Sequence, residues 1–258
     1  MYLVAIGEIQ GAIEEAIRPL AGDLGTTAYE LKLAMNAGFP AVVLVTVDEA
    51  LARAAAASIA RHGHAAIFCD RRDIVTNEQM TQLRDFRFTS DGLLPHASSD
   101  KRVLYDNIAV LLRATHRTSS QTSEQVKERK LRPVMAIATG GLVLSKTTTR
   151  TVTSSTAHSE QVLYIFDRGA TKPLILKERS AQYGGLGEYL SATSFENFGT
   201  TIQKLRERCP GVVYDERLKA SRPLRGVADG IEATDIYAHL LATFLLKRAP
   251  ISAGPERE

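Results

Sequence analysis

The residues of this chain that could do chemistry form one near-motif and one charge cluster. "GGLVLSKT", Gly140 to Thr147, spaces a glycine from Lys146 almost as a phosphate-binding loop would, with Ser145 where such a loop needs its second glycine. A working loop also needs a helix that starts at the lysine, because loop amides and the helix N-terminus together hold the phosphates. Lys146 is followed by "TTTRTVTSST", a β-branched run that predicts a strand. Gly140 and Gly141 then mark a hairpin turn or bulge instead of a nucleotide site. The charge cluster is Lys127, Arg129, Lys130 and Arg132, joined from the neighbouring hairpin by Lys146 and Arg150. It is either a solvated face or a site for an anion. Without interleaved aromatics or a recognition-helix pattern, it suits an anionic lipid head group or an acidic protein better than nucleic acid.

Other constellations are absent from the sequence. Histidines at 62, 64, 96, 116, 158 and 239 are scattered, and His62 and His64 fall on a helix end and a strand start, which predicts surface residues pointing apart and no metal site. "QYGGLGEYL" has glycines but no strand-to-helix context, and so reads as a turn. No Gly-x-Ser-x-Gly elbow occurs. Cys69 and Cys209 are too far apart for a metal knuckle or a disulfide framework and read as core residues. The expectation is no catalytic residue, no metal and no cofactor, with a site assembled only by folding left open.

The elements that position these residues divide by charge. Over 258 residues the formal net charge is only +3. Yet Met1 to Ala50 carries Arg18 and Lys32 against seven acids, whereas Lys101 to Arg150 carries ten bases against Asp106, Glu124 and Glu128. That asymmetry predicts two units with different surfaces and an anionic partner for the second. The longest apolar runs, "PAVVLVTV" and "YAHLLATFLL", fall well short of the roughly 20 residues that cross a bilayer, and "MYLVAIGEIQG" lacks the features of a leader, so a cytoplasmic protein is expected.

Periodicity predicts an α+β protein. "YLVAIG" is a strand. "AIEEAIRPLAGDLG" sets Ile13, Ile17 and Leu20 or Leu24 on one helical face up to Gly25. Thr27 and Glu30 have capping-box spacing for a second helix with Leu31, Met35 and Tyr29 inward. "PAVVLVTV" is a buried strand, "DEALARAAAASIARHG" a helix and "HAAIFCD" a strand, giving β-α-α-β-α-β over 1–75. With "DLGTTAYELKLAMNAGFPAVVLVTVDEALARAAAASIARHGHAAIF", this order resembles the C-terminal domain of the bacterial ribosomal stalk protein and the Clp protease adaptor ClpS. The resemblance implies that fold and a general protein- or peptide-binding role, without the stalk protein's lysine-rich factor-binding surface.

After "DRRDIVTNEQMTQ", polar enough for a linker, the pattern turns to β. Phe86 and Phe88 alternate before a turn at Ser90-Asp91-Gly92, and several strands follow. "SATSFENFGTTIQKLRERCPG" then reads as a helix capped by Ser194, with Phe195, Phe198, Ile202 and Leu205 on one face. Strands closed by one helix over 83–215, with "DGLL" and "LYDNIAVLL", resemble a bacterial pleckstrin-homology-like barrel interrupted by a basic insertion at about 116–133. An amphipathic helix over 231–248 and a flexible tail over 249–258 complete the chain. The combined reading is a noncatalytic adaptor or regulatory binding protein. An enzyme of unrecognised class and a nucleic-acid-binding protein are the alternatives.

Overall fold

The computed structural model describes residues 1–95, 102–131, 145–168, 172–220, 224 and 227–248; within these, the side chains of 119–131 and 145–157 are excepted. The chain begins with β1 (Tyr2–Glu8), α1 (Ile13–Leu24), α2 (Ala28–Asn36), β2 (Ala41–Thr46), α3 (Glu49–Arg61) and β3 (Ala65–Asp70). Strands β2 and β3 flank β1, and both pair with it antiparallel. Local chemistry sets the helix ends. Gly25 closes α1 in the left-handed region at φ 64°, Thr27 and Glu30 form a reciprocal capping box on α2, and the Asp48 carboxylate accepts from the Ala50 and Leu51 amides to start α3. Ile17, Leu20, Leu31 and Met35 pack with Val4 and Ile6 in one core. Tyr29 was expected inward but is 75% exposed, because two residues of helix put it about 200° round from the buried Leu31.

The rest of the chain supplies β4 (Thr81–Gln82), β5 (Arg87–Phe88), β6 (Gly92–Leu94), β7 (Val103–Leu104), β8 (Ile108–Leu131), β9 (Ser145–Asp167), β10 (Leu174–Lys177), α4 (Ser194–Arg208), β11 (Val213–Leu218) and α5 (Gly230–Arg248). Five strands form one sheet in the order β11-β8-β9-β10-β4, and β5-β6-β7 form a small second one. Among the described residues the strands close no barrel. The reason lies in the strands. Val162, Tyr164 and Phe166 of β9 face one core while Leu163 and Ile165 face another, and Ile175 of β10 is flanked by Leu174 and Leu176 in the same way. "VLYIF" and "LIL" are continuous apolar runs because both faces of this open sheet are covered.

One cover is α4, whose Phe198, Ile202 and Leu205 are buried; Thr193, one residue before the expected Ser194, caps it, and Phe195 is 57% exposed at its start. The other cover is α5. Its Ala233, Ile236, Leu240 and Leu241 share a core with Leu3, Ala5 and Ile67 of the first sheet and with Val110, Leu112 and Tyr164 of the second. This helix, expected to be amphipathic, is buried along eleven of its nineteen residues, from Ala233 to Leu245. A helix apolar all round belongs between two layers. The polar stretch expected as a linker is pinned to it: the Asn77 amide donates to Asp235 (2.8 Å), the His239 ring meets the Val75 backbone, and Ile74, Met80 and Leu83 are buried. Met1–His116 with Glu160–Glu258 form one compact unit and Arg117–Ser159 another.

Candidate functional site

The six basic residues singled out by sequence divide between two strands and a position outside the description. Lys127, Arg129 and Lys130 lie on β8, Lys146 and Arg150 lie on β9, and Arg132 is outside the described residues. β8 and β9 are neighbours in the sheet, so two clusters separated in sequence by "LRPVMAIATGGLVLS" are carried on adjacent strands. Lys146 is the second residue of β9, and no helix starts there as a phosphate-binding loop would require. Gly140 and Gly141 lie outside the described residues. The unit Arg117–Ser159 contains seven basic and two acidic residues, a net +5 where the whole chain has +3, so the remainder is net −2. It also contains no Phe, Tyr or Trp and sixteen Ser and Thr among its 43 residues, a composition rich in hydrogen-bonding hydroxyls and lacking base-stacking rings.

Folding assembles a second polar group that the sequence reading did not find. His116 on β8, Tyr164 on β9 and Asp235 on α5 are 3%, 0% and 1% exposed. His116 Nε2 lies 2.6 Å from Tyr164 Oη, and the tyrosine hydroxyl donates to Asp235 Oδ1 at 2.7 Å. Since that hydroxyl has only one proton, its oxygen can only accept from the imidazole, which fixes the proton of a neutral His116 on Nε2. The second carboxylate oxygen accepts from the Asn77 amide, and Lys177 Nζ on β10 donates to the Asn77 side chain at 2.8 Å. Burial pushes His116 down to about 4, helped by the charge of Lys177; it pushes Asp235 up against the opposing hydrogen bonds from Tyr164 and Asn77. Although His116 and Asp235 approach to 3.9 Å, desolvation acts against charge on both, so the group is a hydrogen-bonded chain and no ion pair. Tyr164 is held well above its ordinary value by burial and by Asp235. Such a chain ties α5 to the sheet; its depth leaves a substrate no approach to the imidazole.

The signal for this group was present in sequence. Val110, Leu112, Ala114 and His116 follow one another at the two-residue period of a strand face, so His116 continues a buried row. Asp235 likewise interrupts the apolar run of α5.

His62 and His64 do not point apart: their rings stack with centroids 6.5 Å apart, His62 reaches Asp23 and His64 is buried, accepting from the Gln10 amide on Nδ1. Among the described residues no group of His, Cys, Asp and Glu is arranged to hold a metal ion. Burial pushes the Cys69 and Cys209 thiols up to about 11, which makes both poor nucleophiles. No described helix is long and apolar enough to cross a membrane. No protein-family model, curated protein or solved structure matches the chain.

Proposed function

We propose that this chain is a noncatalytic adaptor or regulatory binding protein that holds an anionic partner, an acidic protein segment or an anionic lipid head group, through Lys127, Arg129, Lys130, Arg132, Lys146 and Arg150. The observation that carries this reading is the segregation of charge: a net +5 in Arg117–Ser159 against a net −2 elsewhere, with Lys127, Arg129 and Lys130 on β8 and Lys146 and Arg150 on its neighbour β9. The hydroxyl-rich, ring-free composition supports oxyanion binding over base stacking. A protein-facing role for the N-terminal β-α-α-β-α-β region is supported by Tyr29 and Leu33, exposed one turn apart on α2.

Sedimentation with vesicles tests the lipid arm, and titration of a fluorescent oligoglutamate peptide tests the protein arm. The protein is expected to bind phosphatidylserine vesicles or the peptide at low salt, and to lose that binding when Lys127, Arg129, Lys130 and Arg132 are changed together to Glu. Equal binding to neutral and anionic vesicles, or a reversal variant that binds as the wild type does, contradicts the reading.

A further inference from the structure

A concavity of 440 Å³ opens between the turn after β5 and the end of α4, lined by Phe88, Thr89, Ser90, Tyr105 and Arg208. Its volume is within the range of small-molecule pockets. The guanidinium of Arg208 is held by one corner: Nη1 donates to the Thr89 carbonyl and to Tyr105 Oη, both at 2.9 Å, and the Tyr105 hydroxyl itself donates to the Thr89 carbonyl at 3.1 Å. Both bonds come from Nη1. The Nε and Nη2 edge has no hydrogen-bonding partner among the described residues, and that edge carries the two parallel donors that match a carboxylate. Phe88 and Tyr105 flank the cation, with ring centroids 4.9 and 5.7 Å from Cζ, which fixes its plane and offers apolar walls beside it.

The geometry points to Arg208 and its two rings as a binding pocket for a carboxylate attached to an aromatic or apolar body. The carboxylate lies along the Nε and Nη2 edge, and the body lies against Phe88 and Tyr105. Ser90 supplies a further donor, since its hydroxyl makes only a 3.4 Å contact to Asp91, whereas the Thr89 hydroxyl is committed to Gly92. Asp91 is paired with Arg102 and so does not repel an anion here. None of the residues lining the pocket is among the basic residues of the proposed function, so the inference does not depend on their role.

The test is an NMR titration of the full chain with benzoate, its neutral analogue benzamide, and the dipeptide Gly-Phe with free or amidated C-terminus. Benzoate is expected to shift the amide resonances of Thr89 to Asp91 and Arg208, and benzamide to bind about tenfold more weakly, the worth of one charge-assisted hydrogen bond. Arg208→Lys, which keeps the charge and loses the fork, should weaken benzoate to a similar extent. Ser90→Glu, an exposed substitution that adds a competing carboxylate, should abolish binding and decides the matter if the first variant does not fold. Free Gly-Phe binding more tightly than benzoate assigns the carboxylate to a chain terminus; the reverse assigns it to a small aromatic acid. Equal shifts with benzoate and benzamide, no response to any carboxylate at millimolar concentration, or wild-type affinity in Ser90→Glu overturns the proposal.

Discussion

At the scale of single residues, the hydrogen-bonded chain of His116, Tyr164 and Asp235 is a buried polar group in which each member depends on its neighbour. Tyr164→Phe deletes one oxygen and leaves both neighbours short of a partner in a site at most 3% exposed. We expect a loss of about 2–3 kcal/mol in chemical denaturation, the cost of stranding buried polar groups. His116 also gives stability a pH dependence. It is neutral in the fold with its pKa lowered to about 4, and titrates near 6.5 when unfolded, so between those values the unfolded chain binds a proton that the folded chain does not. Stability is therefore full above about 6.5 and falls as the pH drops towards 4, by about 3 kcal/mol in total from this group. Asp235, whose value is raised, acts with the opposite sign at the acidic end, and His239 and His64, both lowered by burial, add to the trend. The effect of His116 is isolated by comparing denaturation midpoints of the wild type and His116→Gln from pH 7 to 4.5. The difference between the two should shrink as the pH falls, and a pH-independent difference contradicts a neutral buried imidazole.

At the scale of elements, the sequence was most informative where one local rule decides the outcome. The α2 capping box, the Gly25 stop and the strand after Lys146 each follow from a few adjacent residues. Long-range burial was not legible in this way. Phe195 and Phe198 both sit on α4, yet only Phe198 meets Leu205 and Leu163 in a core, while Phe195 is left at the exposed first turn. The role of "QYGGLGEYL" also depends on a neighbour far away in sequence. A Cβ on Gly185 would lie 2.0 Å from the Phe86 carbonyl oxygen, because the segment Tyr183–Tyr189 packs directly on the chain leading into β5. Gly185→Ala must displace backbone, and we expect it to lose about 1–3 kcal/mol, as overpacking typically does. Gly184→Ala, which meets nothing within 4 Å, is the control. Equal thermal midpoints in the two variants would contradict this packing.

At the scale of the molecule, the change of periodicity and charge predicts a two-domain outline and leaves the place of the last helix open. An apolar stripe shows that α5 docks, and only the fold shows that it enters a core shared by both larger sheets. A chain ending before Gly230 should therefore fail to fold cooperatively, and the stretch from Asp73 to Arg84 should resist limited proteolysis; ready cleavage there with survival of a folded 1–75 fragment would contradict the shared core. Arg117–Ser159 carries a net +5 where the rest of the chain carries a net −2, and the proposed anionic partner rests on that difference. The most direct measurement is the affinity of the full chain for an oligoglutamate peptide and for phosphatidylserine vesicles across a salt series, beside a variant with Lys127, Arg129, Lys130 and Arg132 changed to Gln. At about 1 kcal/mol for each base near an anionic surface, the variant should bind about a thousandfold more weakly at low salt, and the wild type should weaken steadily as salt rises. Wild-type affinity that is unaffected by both salt and the four substitutions would contradict an anionic partner for this protein.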